Sequence, residues 1–418
     1  MKVWLVNPFD PLFGEHEQLG RYACLAETLQ QAGNDVLWWS STFSHRFKRN
    51  VDAERVHAGF AEKGIRVRLV PTPPYAKNVS YRRLKSHRAY GRAFRELASD
   101  QPHPDVILAS SPPLESAYEA ARLGREWQVP TIIDIQDQWP DNFARVMPGA
   151  MRWMRGVLLA PYYTLERKAY TLADGIIGVA QGYLDRGVLV GGRKKHEGVF
   201  PLGVDLQEVD KAIAAGAAEY TDKWRKPEGR IRLLYSGSLS HNYDFQTIIR
   251  AAALAKQRFA DRVEFVLSGT GELALEAERL VIQHDLDNVH LTGFLGFDEW
   301  AYLLSQADAG FNASFPDAMI YFPNKIFYYL AAGAAVLNTI PGQCAELVEK
   351  EACGLNYTAG DPESCFDAIA QLVDAPQMLT QMGLASRRLA EQVYDRKIIL
   401  TGLTRFLEEA ADATSGAS

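Results

Sequence analysis

Short apolar runs alternate with amphipathic segments along most of the chain, and this alternation limits the folds open to it. The run at residues 3–6 leads into a loop rich in Pro, Gly and Asp, then into apolar residues at helical spacing, then into a second run at 36–39. Strand, loop, helix and strand in this order are typical of a parallel sheet covered by helices. Further runs follow at 65–69, 106–109, 131–135 and 175–179. They predict a first doubly wound domain.

The same pattern starts again after Gly229, with apolar runs at residues 231–235, 263–268 and 289–292. We therefore expect an α/β protein of two doubly wound domains joined near residue 205. The predicted domains are 1–204, 205–392 and a C-terminal segment, 393–418. Apolar periodicity predicts a helix over 393–410 that can pack back across a cleft onto the first domain.

Charge and cysteine content restrict the location of the protein. The net charge of −6 divides into +6 for residues 1–200, with 27 Lys/Arg and 21 Asp/Glu, and −12 for the remainder. The four cysteines show neither CxxC pairing nor zinc-finger spacing, which favours a reducing compartment. The N-terminus lacks a signal-peptide pattern, and no run of about 18 apolar residues occurs. We expect a cytoplasmic protein, able to lie peripherally at the inner face of the cell membrane.

Two strand ends of the second domain carry small residues, at 236–238 and 268–271. Glycine lets a phosphate approach the backbone, and helix N-termini bind anions, but either loop alone is a weak signal. Lys325 follows Pro323 at the start of a predicted helix. A cation there opposes the helix dipole, which suggests an anionic partner, although a solvated lysine is the simpler interpretation.

Taken together, the motifs resemble the family 4 glycosyltransferases. In the second domain the resemblance lies in residues 201–205, 235–239, 267–271, 288–294, 306–310, 323–325 and 331–333. In the first domain it lies in residues 7–9, 43–48 and 137–141, which are similar to the WbuB-like branch that builds bacterial surface polysaccharides. The resemblance covers essentially the whole chain.

The resemblance implies a GT-B fold, in which two Rossmann-like domains face each other across a cleft. It implies a retaining glycosyltransferase without metal or cofactor, whose substrate is a UDP- or GDP-linked sugar. The acceptor would be a glycan, often linked to polyprenyl diphosphate. Protein donors would stabilise the negative charge that develops on the leaving diphosphate.

The family also implies roles for individual residues. Around the diphosphate we expect Ser236, Gly237, Ser238 and Lys325, the last as a catalytic group beside Asn324. Around the nucleoside we expect Gly269, Thr270 and Phe294, with Phe294 next to the base.

The sequence departs from the family at two places in this site. The family's Glu-x7-Glu pair is replaced by Ile320 and Tyr328, and a phenol can still bond a ribose hydroxyl but cannot act as a carboxylate. The usual basic residues of the first phosphate loop are also missing. We therefore expect His241, or Arg21 of the first domain when the cleft closes, to assist Lys325.

In the first domain, Asp137 follows the predicted strand at 131–135, the edge where active-site groups lie in such sheets. We expect Asp137 to orient the acceptor or to act as a base, with capping of a turn as the alternative. Gly14, Glu15 and Arg21 are the other expected acceptor-side residues.

The segment from Arg46 to Arg92 contains 13 Lys/Arg and 3 Asp/Glu, interleaved with tyrosines. This pattern is typical of an anionic membrane surface or a lipid diphosphate as partner; a solvated basic face is the alternative. Nucleic acid is not expected, because no binding module accompanies the charge. Asp285 and Asp287 match a metal motif but lie in a polar connection, and the histidines form no metal-spaced pair, so no metal is expected.

Two other functions remain open at this point. One is a non-hydrolysing nucleotide-sugar epimerase, and the other is a non-catalytic nucleotide-sugar-binding subunit. Incubation with sugar nucleotides would separate them, because only an epimerase changes the donor without an acceptor.

Overall fold

The computed structural model describes residues 1–14, 19–147 and 153–415. The chain divides into two compact units. Unit 1 comprises residues 1–201 and 400–418, and unit 2 comprises residues 202–399.

Unit 1 contains nine strands and eight helices among its described residues before the hinge. The strands are β1 (Lys2–Val6), β2 (Asp35–Ser41), β3 (Phe43–Ser44), β4 (Arg49–Asn50), β5 (Arg66–Val70), β6 (Val106–Ser111), β7 (Thr131–Ile135), β8 (Gly175–Gly178) and β9 (His196–Val199). The helices are α1 (Arg21–Gln31), α2 (Ala53–Ala61), α3 (Tyr81–Ala98), α4 (Leu114–Trp127), α5 (Asp141–Val146), α6 (Arg155–Leu158), α7 (Ala160–Leu172) and α8 (Gln181–Gly191).

Seven of these strands form one parallel sheet in the order β5-β2-β1-β6-β7-β8-β9, while β3 and β4 form a separate antiparallel hairpin. Strand order reverses between β1 and β6, the point at which doubly wound sheets bind ligands. The core strands read as continuous apolar runs because helices cover both faces of a parallel sheet. Trp38 and Trp39, which are adjacent in β2, are both fully buried and pack into different core clusters.

Unit 2 repeats this architecture. Its strands are β10 (Ile231–Ser236), β11 (Val263–Ser268), β12 (Val289–Gly293), β13 (Ala309–Asn312), β14 (Ala335–Asn338) and β15 (Gly354–Asn356), in the parallel order β12-β11-β10-β13-β14-β15. Its helices are α9 (Leu206–Trp224), α10 (Phe245–Phe259), α11 (Ala274–Gln283), α12 (Phe297–Ser305), α13 (Asn324–Ala331), α14 (Gln343–Lys350), α15 (Pro362–Asp374) and α16 (Pro376–Leu389). The prediction of two doubly wound α/β domains is confirmed.

The predicted start of the C-terminal helix at residue 393 is wrong. Residues 390–394 continue from α16 as a π-helical turn, and the last helix, α17, spans Arg396–Ser415. The break occurs because Val204 donates to the Tyr394 carbonyl at 3.0 Å and accepts from the Arg396 amide at 2.8 Å. Further along α17, Leu403 and Leu407 are buried in the core of unit 1.

Candidate functional site

Two glycine loops meet at the switch point of the unit 2 sheet, where β10 lies between β11 and β13. Gly237 and Gly269 have φ values of +147° and +144°, in the region that favours glycine. A Cβ on Gly269 would lie only 1.8 Å from the Gly237 carbonyl oxygen. The Gly237 amide donates to the Ser268 carbonyl at 2.9 Å. The close approach of the two loops therefore requires glycine at 269.

Lys325 lies in the first turn of α13, and its side chain contacts the loop that contains Gly237. Its Nζ lies 4.4 Å and 4.3 Å from the ring centroids of Tyr235 and Tyr243, and 3.2 Å from the position of a Cβ on Gly237. The nitrogen is shielded from solvent and makes no hydrogen bond, although other atoms of the side chain are partly exposed. Burial lowers the pKa of Lys325 to about 7. Among the described residues, the shielded nitrogen of Lys325 therefore has no hydrogen-bond partner.

The glycine loop at residues 236–238 is fixed by aromatic side chains. Trp300 Nε1 donates to Ser236 Oγ at 2.6 Å, and the Ser236 amide donates to Tyr329 Oη at 3.0 Å. Tyr235 Oη donates to the Ser238 carbonyl at 2.7 Å. Sequence reasoning missed the part of Trp300, because a single tryptophan 64 residues along the chain carries no motif.

Tyr328 occupies the position where the family's second glutamate was expected. Its ring packs edge-on against Trp300 at 5.0 Å. Burial raises the pKa of Tyr328, while a hydrogen bond with Arg396 opposes the rise and Glu208 adds to it. The position therefore holds a neutral phenol beside a guanidinium.

The remaining expected donor-side residues lie around these loops with their side chains in solvent. Ser238, Thr270 and Asn324 are exposed, and the exposed His241 approaches Glu272 at 3.9 Å. Phe294 is 82% exposed. The residue before it, Gly293, is hydrogen-bonded to the second glycine loop, because the Gly269 amide donates to the Gly293 carbonyl at 2.8 Å. The structure brings Ser236, Gly237, Gly269 and Lys325 together, and His241 and Phe294 point outward.

In unit 1, Asp137 lies just beyond the end of β7. Its Oδ1 accepts from the Gln138 amide at 2.8 Å and from the Asn142 side chain. Burial raises the pKa of Asp137, and these bonds together with the charge of Arg83 oppose the rise. Asp137 thus makes the hydrogen bonds expected of a residue that caps a turn. Its carboxylate lies at the carboxyl end of β7.

Arg21, Gly14 and Glu15 are the other expected acceptor-side residues. Arg21 is buried, with Nε 3.4 Å from Asp134 Oδ2 and Nη1 donating to the Pro201 carbonyl at 2.9 Å, so its charge is already balanced inside unit 1. Gly14 is exposed at φ +80°, and Glu15 lies outside the described residues.

The basic segment does not form one continuous surface. Arg83 and His87 of α3 turn into the interior, whereas Arg82 and Lys85 are exposed. Among residues 1–14, 19–147 and 153–415, no helix has the length and apolarity to cross a bilayer. Within the same ranges, no three His, Cys, Asp or Glu side chains are grouped as metal ligands, and Asp287 is exposed with Lys256 at 3.1 Å.

Two doubly wound units, the second with glycine loops and a buried lysine at its switch point, define a two-domain α/β protein of the GT-B type. Solved structures with the same fold include sucrose-phosphate synthase from Thermosynechococcus elongatus, with TM-score 0.72, 17% identity and 99% of each chain covered. HepE from Anabaena in complex with UDP aligns with TM-score 0.68 and 16% identity over 98% of this chain and 100% of that one. WaaG, a glycosyltransferase involved in lipopolysaccharide biosynthesis, aligns with TM-score 0.64 and 13% identity over 97% and 99%.

Family models match both parts of the chain. Residues 21–203 match the glycosyl transferase 4-like domain, and residues 230–375 match glycosyl transferases group 1. The chain therefore carries the two glycosyltransferase domains that these models describe. Comparison with curated proteins gives no match.

Proposed function

We propose that this protein is a retaining, metal-independent glycosyltransferase of bacterial polysaccharide biosynthesis, within the WbuB-like branch. It would move a sugar from a UDP- or GDP-linked donor to a glycan acceptor carried on polyprenyl diphosphate. The two glycosyltransferase domain matches support this proposal. The fold it shares with HepE structures in complex with UDP and with UDP-glucose supports a nucleotide-sugar donor.

The observation that carries the proposal is the enclosed ammonium of Lys325. A buried cation without a counter-ion is costly, and a diphosphate at the glycine loops supplies the missing charge. The negative charge on the diphosphate grows as the glycosidic bond breaks. Lys325, with the backbone amide of Ser238, would stabilise that charge and lower the barrier. In unit 1, Asp137 would orient the acceptor hydroxyl or accept its proton.

A lipid-linked acceptor would require the protein to approach a membrane. Exposed apolar side chains of unit 1, at Trp153 and Val157, lie near Arg155 on and beside the short helix α6. Tryptophan and cations together are typical of peripheral binding to anionic lipid. Flotation with anionic liposomes tests this part. We expect binding that falls with salt and is weakened in the variant Trp153→Ser; no association at low salt would reject membrane docking.

Donor binding and transfer are tested separately. Calorimetry with UDP and GDP identifies the nucleotide, and a panel of labelled sugar nucleotides with extracted lipid-linked acceptor identifies transfer. Lys325→Met should abolish nucleotide binding, whereas the matched surface variant Lys350→Met should not. Epimerised donor without acceptor would support an epimerase instead, and binding without transfer would support a non-catalytic subunit.

A further inference from the structure

Unit 1 holds a pair of cations that no carboxylate of the described residues approaches within 4 Å. Lys48 lies in the turn between β3 and β4, and its Nζ donates to Asn78 Oδ1 at 2.6 Å. Arg83, in the first turn of α3, donates from Nη1 to the Asn78 carbonyl at 2.9 Å. Both cations therefore contact the same residue.

Aromatic groups surround the pair. Lys48 Nζ lies 4.9 Å from the ring centroid of Tyr75, and the Arg83 guanidinium lies 4.6 Å from a ring centroid of Trp139. His45 is hydrogen-bonded to Tyr75, and His87 Nε2 accepts from Arg83 Nε at 3.3 Å. These contacts hold the two cations in place.

Lys48 and Arg83 repel each other, and no close counter-charge lies among the described residues. Burial and the charge of Arg83 lower the pKa of Lys48. Burial, together with the charges of Arg83 and Lys48, lowers the pKa of His45 to about 3. Burial raises the pKa of Tyr75 to about 12, so both neighbours are neutral. Asp137 and Glu115 act on Arg83 only from beyond ion-pair distance; in the part of the chain that the structure describes, no carboxylate oxygen lies within 4 Å of either cation.

We propose that Lys48 and Arg83 form a binding site for a phosphoryl group of the acceptor. In an acceptor carried on polyprenyl diphosphate, each of the two phosphoryl groups bears one negative charge. The diphosphate as a whole can therefore balance both cations, whereas one carboxylate balances only one of them. Val79 and Tyr81, on either side of Ser80 at the start of α3, are 58% and 74% exposed. Apolar surface beside a phosphoryl site suits a phosphoryl group joined to a lipid chain.

This inference rests on the proposed function, because it names the acceptor chemistry of the same enzyme. The test titrates farnesyl diphosphate into the full chain saturated with UDP, so that the donor site of unit 2 is already filled. Lys48→Ala should weaken farnesyl diphosphate binding about tenfold or more, since a charge-assisted contact is lost. Lys77→Ala is the matched control, because Lys77 is an exposed lysine next to Asn78, the residue that both cations contact. It should change affinity less than twofold.

Inorganic pyrophosphate distinguishes the two sources of the phosphoryl group. Tighter binding of farnesyl diphosphate than of pyrophosphate supports a lipid-linked group, and equal binding rejects the lipid while retaining the phosphoryl site. Equal losses in Lys48→Ala and Lys77→Ala, or no binding to the UDP-saturated protein, would overturn the site. Arg83→Lys, which keeps the charge but loses the contacts with Asn78 and His87, should also bind more weakly. Failure of the proposed function would show separately, as wild-type protein that does not bind UDP or GDP.

Discussion

Replacing Lys325 by Met should stabilise unit 2 while it abolishes nucleotide binding. Met keeps the unbranched shape between Tyr235 and Tyr243 but carries no charge. A pKa near 7 in place of 10.5 corresponds to a destabilisation of about 5 kcal/mol when the lysine is charged, at 1.36 kcal/mol per tenfold change in proton affinity. Loss of the cation–π contacts with Tyr235 and Tyr243 lowers the stability of the variant by about 1–2 kcal/mol. We expect a net gain of about 3 kcal/mol.

The gain should depend on pH with a definite sign. Below pH 7 the lysine is protonated in both the folded and the unfolded state, so the full cost of burying its charge is present. Between pH 7 and 10.5 only the unfolded state retains the proton, and the cost declines as that proton is lost. Thermal unfolding at pH 6 should show the unit 2 transition of Lys325→Met raised by roughly 6–12 °C. At pH 9 the gain should fall to about 1 kcal/mol or less.

Lys350→Met provides the matched control, because Lys350 is an exposed lysine of α14 in the same unit. It should leave both transitions within about 0.5 kcal/mol at both pH values. Two results would show that the Lys325 ammonium has a partner in the folded protein. One is a Lys325→Met variant no more stable than wild type at pH 6, and the other is a gain in stability that does not decline towards pH 9. The argument for an anion at this position would then fail.

Three further predictions concern binding and turnover. UDP affinity should fall about tenfold or more between pH 7 and pH 8.5, because a smaller fraction of Lys325 is protonated before binding; calorimetry that shows no pH dependence contradicts this. Gly269→Ala should destabilise unit 2 by more than about 2 kcal/mol and abolish UDP binding, since its Cβ would meet the Gly237 carbonyl at 1.8 Å, whereas Gly296→Ala has open space and should be tolerated. Asp137→Asn should reduce transfer about 100-fold with UDP affinity unchanged, and normal turnover would leave Asp137 as a turn cap only.

The strands were predictable because parallel strands covered on both faces are continuously apolar, as in β6 and β10. Helix α9 was not predicted, because its sequence is rich in small and polar residues and contains a glycine. In the structure this glycine, Gly216, is needed for packing. A Cβ at this position would lie 2.2 Å from the Asp298 carbonyl oxygen, so only a residue without a Cβ lets α9 lie this close to α12. A residue that weakens helices in isolation is here required by a contact with a distant segment.

The glycine loops and Lys325 could be predicted from the sequence because their motifs occur in the same order as in family 4 glycosyltransferases. The surroundings of Lys325 could not. Tyr243 lies in a loop with no regular spacing, and Trp300 reaches Ser236 from a helix 64 residues away. Arg83 lies in the basic segment from Arg46 to Arg92, and only the packing of α3 shows that it turns inward. Charge composition does not distinguish a solvated arginine from a buried one.

The acidic composition of the C-terminal part of the chain does not oppose the binding of a diphosphate there. Exposed carboxylates act over about one Debye length, roughly 8 Å at physiological salt. Several of them are paired, as Asp374 is with Arg258 at 2.7 Å. A cation enclosed away from water interacts more strongly with an anion at contact than such a distributed surface charge does. In the donor site that we propose, the enclosed nitrogen of Lys325 would therefore outweigh the net charge of this part of the chain. In the acceptor site that we propose in unit 1, Lys48 and Arg83, rather than the whole basic segment, would likewise determine where an anion is held.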